Sequence, residues 1–160
     1  MWECLSKSMK VNFINSSYTR FYKAHKTEID RAITGCLEKG NLTLREDVWN
    51  FEKTLAKYIG VKYAVGVGSG TDALFLSLKA IGIKEGDEVI TVSHTFIASI
   101  QAIIHCGAKP VFVDVVDEVM NVSQIEDKIT SKTRAIMPIH LTGISCEMDN
   151  ILQIAKDYGF

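Results

Sequence analysis

The sequence predicts an α/β fold in which a mainly parallel sheet is covered by helices on both faces. Three observations carry that prediction. From Tyr63 to Tyr158, strand-length runs rich in Val and Ile alternate with helix-length segments. The strand runs are continuously apolar rather than alternating, which suits strands buried on both faces. Turn-forming residues, among them Gly60, Gly86 and Gly107, separate the segments.

Each element has its own signal. Thr27 to Glu38 reads as an amphipathic helix, with Ile29, Ile33, Cys36 and Leu37 on one side, stopped by Gly40-Asn41. Arg45 to Tyr58 carries Val48, Phe51, Leu55 and Ile59 at helical spacing, with Gly60 as its cap; Trp49 and Phe51 read as its packing residues. Tyr63 to Val67 reads as a strand. Asp72 to Ile81 reads as a helix that is apolar nearly all round, hence buried. The turn Lys84-Glu85-Gly86-Asp87 introduces a strand from Glu88 to Val92, and Phe96 to Cys106 is a largely apolar helix ended by Gly107. Pro110 leads into a strand from Val111 to Val115. Ser123 caps a short helix, Gln124 to Ile129, and Arg134 to Ile139 is the fourth strand. Met148 to Tyr158 places Met148, Ile151, Leu152 and Ala155 on one helical face. The order is β-α-β-α-β-α-β-α over residues 62–160, preceded by two helices within 27–60, with residues 1–10 as an unstructured extension.

Length and composition bound the function. A chain of 160 residues, 47% hydrophobic, suits one domain with a real core. A net charge of −1 with mixed signs gives no electrostatic case for nucleic acid or an anionic membrane. The cysteines at 4, 36, 106 and 146 and the histidines at 25, 94, 105 and 140 show no metal-ligand or redox spacing. Reduced thiols in a cytoplasmic protein are the expectation. Met1 to Lys10 carries no apolar signal-peptide core, and Met9 is a candidate natural start.

In open parallel sheets the ligand sits beyond the carboxyl ends of the strands. The segments to inspect are therefore Gly68 to Thr71, Ser93 to Phe96 and His140 to Gly143. The first belongs to Val65-Gly66-Val67-Gly68-Ser69-Gly70-Thr71-Asp72-Ala73-Leu74, an apolar run passing through small residues into a helix. Such a turn offers backbone N–H groups and a helix N-terminus to a phosphate. It is a poor dinucleotide fingerprint: the third glycine position is Thr71, and the second strand ends in Val92-Ser93 with no acid for a ribose. No G-x-x-x-x-G-K-[ST] occurs. A plain strand-to-helix turn, with Thr71 or Asp72 as N-cap, is compatible with a phosphate role.

A set of segments narrows the choice. They are Gly40-Asn41-Leu42-Thr43-Leu44, Phe51-Glu52 before Tyr58-Ile59-Gly60-Val61, and Ser69-Gly70-Thr71-Asp72-Ala73-Leu74. Gly86-Asp87-Glu88-Val89-Ile90, His94-Thr95-Phe96, Gly107-Ala108-Lys109-Pro110-Val111-Phe112-Val113-Asp114-Val115 and Pro138-Ile139-His140-Leu141-Thr142-Gly143 follow. In this order and spacing they resemble the amino-terminal half of the DegT/DnrJ/EryC1/StrS family of pyridoxal-phosphate (PLP) aminotransferases, over roughly Val11 to Phe160. The resemblance implies part of an aspartate-aminotransferase-like, fold type I large domain. It implies transfer of an amino group, from glutamate, onto a nucleotide-linked keto-sugar, in a cytoplasmic homodimer that serves polysaccharide, glycoprotein or antibiotic synthesis.

Residue by residue, the resemblance implies that Gly70 and Thr71 hold the cofactor phosphate, with Ser69 beside them, and that Phe96 stacks on the pyridine ring. A core aromatic opening a buried helix is the other reading of Phe96. His140 reads as a satisfied structural histidine and Asp114 as a turn or cap residue. The family often has an aromatic residue where this chain has Thr142.

The family's lysine, which holds the cofactor and moves the proton, lies in a later Ser-x-x-x-x-Lys-like segment; the acid against the pyridine nitrogen lies in a Glu-Asp-Ala-Ala-Gln-like one. By the resemblance both segments would begin beyond Phe160. Lys62, Lys79, Lys84, Lys109 and Lys132 flank turns or helix ends and substitute poorly. These residues alone are expected to be inactive and to bind PLP weakly or not at all. The resemblance also places the first strand at one sheet edge, separated from the next three by strands from later in the chain. Poor solubility, association, or reliance on the carboxyl-terminal half or a second polypeptide is the expectation. The alternatives are a non-catalytic truncated or split-gene partner, and a nucleotide-binding α/β domain unrelated to PLP.

Overall fold

The computed structural model describes residues 15–40 and 43–160. The expectations for residues 1–10 and for Asn41-Leu42 lie outside them. The chain divides into two compact units, residues 1–66 and residues 67–160.

The first unit is helical. Helix α1 runs Asn15–Glu38, with a kink at His25, so the helix expected from Thr27 begins earlier. Helix α2 spans Glu46–Ile59 and ends at Gly60. The Cys36 thiol donates to Asp47 Oδ2 at 3.4 Å, which joins the two helices. Ala56 is the buried residue of α2. Trp49 and Phe51 are exposed, so they are not the packing residues the spacing suggests. Ile33 and Leu37 of α1 are exposed as well.

Residues 61–69 form no strand. The expected Tyr63–Val67 strand is corrected on this point. A strand exists by pairing, and no described residue pairs with this segment. It is anchored to α2 by the Val61 N–H, which donates to the Ala56 carbonyl at 3.0 Å, and by the Gly66 N–H, which donates to Glu52 Oε1 at 2.7 Å. Val65 is left 76% exposed.

The second unit begins with helix α3, Gly70–Ala80, and continues through β1, Glu88–Val92, α4, Ile97–His105, and β2, Lys109–Val113. A short hairpin follows, β3 Val115–Val116 and β4 Val119–Met120, then β5, Thr133–Ile136, and α5, Met148–Tyr158. Strands β2, β1 and β5 form a parallel sheet in that order, with β1 central and buried throughout. Two corrections concern the middle of this unit. The strand expected to reach Val115 stops at Val113 and turns into the hairpin. The helix expected over Gln124 to Ile129 is two 3-10 turns, Val122–Gln124 and Glu126–Lys128. Six residues make few of the bonds that offset helix nucleation.

The two faces of the sheet are covered differently. Val89 and Ala135 meet Leu78, Ile83, Ala102, Ile103 and Cys106, the face carrying α3 and α4. Ile90, Val92 and Val113 meet Met120, Ile125, Ile151 and Ile154, the face carrying the hairpin and α5. The odd-even division of Val89 and Ile90 is the period-two geometry of a strand. Of α3, only Leu78 is fully buried, so the expectation of a helix buried all round is corrected. Leu76 is 47% exposed.

Candidate functional site

The connections fix where the site lies. α3 leads into the start of β1, and β1 leads from its end into α4, so both helices begin at the carboxyl edge of the sheet. The loop after β5 emerges at the same edge, because β5 is parallel to β1. Gly70, Thr71, Phe96 and His140 are thus gathered on one edge of the second unit.

The first turn of α3 is built by a reciprocal cap. Ser69 is extended (φ −161°, ψ 168°), and its Oγ accepts the Asp72 N–H at 3.1 Å. The Ser69 hydroxyl donates in return to Asp72 Oδ2 at 2.9 Å. The Ala73 N–H donates to the Ser69 carbonyl at 3.0 Å and starts the helical ladder. The N-cap is Ser69, not Thr71 or Asp72 as one sequence reading has it. The Ser-x-x-Asp spacing was the signal that locates it.

This cap takes up the Asp72 N–H and leaves those of Gly70 and Thr71, which have no carbonyl one turn earlier to bond. Beyond the adjoining backbone, no atom lies within 4 Å of where a side chain at Gly70 would begin. With the Thr71 hydroxyl these two N–H groups form a three-donor cup at the positive end of a helix dipole. The residues present fit a phosphate monoester.

Phe96 is the N-cap of α4, at φ −67° and ψ 139°, and is 75% exposed. It is not a core aromatic. Behind it, Thr95 Oγ1 and Ser99 Oγ share a hydrogen bond at 3.0 Å that fixes the start of the helix. His140 Nδ1 accepts the Cys146 N–H at 3.1 Å, a structural bond closing the loop after β5. Asp114 receives the Gln124 amide at Oδ2, 3.2 Å, while its own N–H donates to Gln124 Oε1 at 2.9 Å. Glu118 was not singled out by the sequence: its Oε2 accepts the Thr142 hydroxyl at 2.9 Å. The described residues contain no cluster of metal-ligating side chains and no helix long and apolar enough to cross a membrane.

A parallel α/β sheet covered by helices, with this cup at its carboxyl edge, is the architecture of part of a fold type I, PLP-dependent aminotransferase large domain. Solved structures of such enzymes superpose on it. DesV from S. venezuelae matches with a TM-score of 0.86 and 39% identity over 89% of this chain and 39% of its own. NtdA from Bacillus subtilis, solved with the bound cofactor PMP, matches with a TM-score of 0.82 and 34% identity over 86% of this chain and 32% of its own. The dTDP-3-amino-3,6-dideoxy-alpha-D-galactopyranose transaminase of Aneurinibacillus thermoaerophilus is 47% identical over 84% of this chain and 38% of its own length. Residues 23–160 match the DegT/DnrJ/EryC1/StrS aminotransferase family, and the chain belongs to it. It spans between 29% and 39% of the length of the curated relatives compared.

Proposed function

We propose that these 160 residues are the amino-terminal part of a PLP-dependent aminotransferase that moves an amino group from glutamate to a nucleotide-linked keto-sugar. The observation that carries the reading is the α3 cup. Its two unpaired N–H groups and one hydroxyl lie within the residues 23–160 that match the family.

Each residue has a role in this reading. Gly70 and Thr71 donate to the phosphate oxygens, and Ser69 borders them. Phe96 covers one face of the pyridine ring and keeps water from it; its exposure here leaves that face free to do so. When bound, PLP supplies an electron sink for the carbon beside the amino nitrogen. The lysine and the acid that complete the chemistry lie outside these 160 residues. The unpaired segment 61–69, and a cavity of about 570 Å³ lined by Ile136, Met148, Ile151 and Leu152 together with Asp87 and Arg134, leave room for further elements to pack. The complete enzyme acts in the cytoplasm as a homodimer.

Titration calorimetry tests the reading with pyridoxamine 5′-phosphate, whose amine, unlike an aldehyde, cannot react with surface lysines. The expected result is weak, saturable binding that pyridoxamine without phosphate does not show. Equal affinity for both, or binding of NAD alone, would overturn it in favour of an unrelated nucleotide-binding domain.

A further inference from the structure

The Ser69–Asp72 pair poses a problem that the cup must solve. A carboxylate in the first turn of a helix is drawn to the free N–H groups there. Asp72 is therefore a built-in competitor for the donors that a phosphate needs. The structure shows where it is held. Oδ2 takes the Ser69 hydroxyl at 2.9 Å, and the same atom stands 2.8 Å from the position a side chain at Gly68 would occupy. Real Cβ contacts do not come that close. The carboxylate lies in space left open by the absent side chain of Gly68, on the flank of the turn. Gly70, by contrast, has no atom beyond the adjoining backbone within 4 Å of its own missing side chain.

We infer that Gly68 and Asp72 are matched positioning residues of the phosphate cup, resting on the cofactor reading above. Gly68 makes the room in which Ser69 holds the Asp72 carboxylate away from the Gly70 and Thr71 donors. The Ser69 hydroxyl has one hydrogen, which Asp72 receives, so Ser69 positions the carboxylate rather than donating to the phosphate.

A side chain at Gly68 meets the far end of a short, rotatable side chain rather than backbone. Asp72 then moves, and the Gly70 and Thr71 N–H groups are donors open to it. A double-mutant cycle reads this directly. Gly68→Ala, Asp72→Ala and the double variant are compared by amide NMR without ligand, and by titration with pyridoxamine 5′-phosphate. Without ligand, Gly68→Ala is expected to move the Gly70 and Thr71 amide protons when Asp72 is present, and to leave them in place when it is combined with Asp72→Ala. On titration, Gly68→Ala is expected to weaken binding about fivefold or more when Asp72 is present, and by less than about twofold when it is absent, a coupling of about 0.5 kcal/mol or more. Equal amide shifts or equal losses in both backgrounds would overturn the inference. Equal affinity of the unmutated chain for pyridoxamine with and without its phosphate would overturn the cofactor reading instead, and the ligand-free amide shifts would still decide the role of the pair.

Discussion

The Thr142 hydroxyl offers its one proton to Glu118 Oε2 at 2.9 Å and to the Leu141 carbonyl at 2.7 Å, the former tying the loop after β5 to the tip of the β3–β4 hairpin. Both residues lie in the left-handed region, Thr142 at φ 55° and Glu118 at φ 68°. A β-branched residue there is a genuine outlier that persists only when its surroundings hold it. Substitutions separate the strain from the bond. Thr142→Val keeps the strain and loses the hydroxyl, and should cost about 1 kcal/mol. Thr142→Gly loses the hydroxyl but relieves roughly 1 kcal/mol of strain. Urea denaturation should rank the glycine variant as the more stable of the two. The opposite order would mean that the loop imposes no strain.

Glu88 anchors the amino end of β1. The Thr130 hydroxyl donates to its Oε2 at 2.6 Å, and Lys109 Nζ stands 3.6 Å from Oε1. The Thr130 hydroxyl, with Lys109 and Lys132 adding positive charge, holds the Glu88 carboxyl below its ordinary value of 4.5. A depressed carboxylate stabilises the fold above its unfolded pKa, and that contribution fades as pH falls through the lower folded value. Thr130→Val should therefore cost about 1–2 kcal/mol near neutrality, and the gap to the parent should shrink below about pH 4. Denaturation at about pH 7 and through a series of lower pH values checks this; a gap that keeps its size throughout would contradict it.

Ile103 of α4 is fully buried against Leu78 and Val89. Ile103→Ala leaves a cavity and should destabilise the second unit by about 2–5 kcal/mol. Ile104→Ala, one residue on and 55% exposed, should change stability by less than about 1 kcal/mol. Thermal melting of the two variants side by side checks the assignment of the helix face.

Much of this fold was legible in the sequence because its signals are local. The β1 strand, Glu88–Val92, carries Val89, Ile90 and Val92 after a turn, and α5 buries Ile151 as its pattern suggests, with Ile154 rather than Leu152 beside it. The Tyr63–Val67 run carries the same kind of signal and yet forms no strand, because pairing is a property of neighbours that composition cannot supply. The hairpin escaped notice because its turn, Asp117-Glu118, lacks the Asn-Gly or Gly that usually marks one. Gly70, Thr71 and Phe96 are proposed for the site through the family resemblance, and the structure gathers them at one sheet edge. The roles of Ser69 and Asp72 lay in plain Ser-x-x-Asp spacing, whereas the need for a glycine at 68 is a matter of three-dimensional closeness. The Glu118–Thr142 contact joins residues 24 apart in the chain and leaves no local trace.

The reading that this chain lacks the reactive lysine has its own chemical test. Incubation with PLP, borohydride reduction and peptide mapping should show substoichiometric label spread over exposed lysines such as Lys79, Lys84 and Lys132. One lysine labelled stoichiometrically, with a defined visible band beforehand, would contradict that reading.

The central claim is that the first turn of α3 receives the cofactor phosphate. Amide NMR of the isotope-labelled chain, titrated with pyridoxamine 5′-phosphate into the millimolar range, addresses those donors one by one. The account predicts saturable downfield shifts at Gly70 and Thr71, absent with pyridoxamine and weakened in Thr71→Val, which removes the hydroxyl donor. Shifts confined to other residues, or an unchanged titration in Thr71→Val, would contradict it.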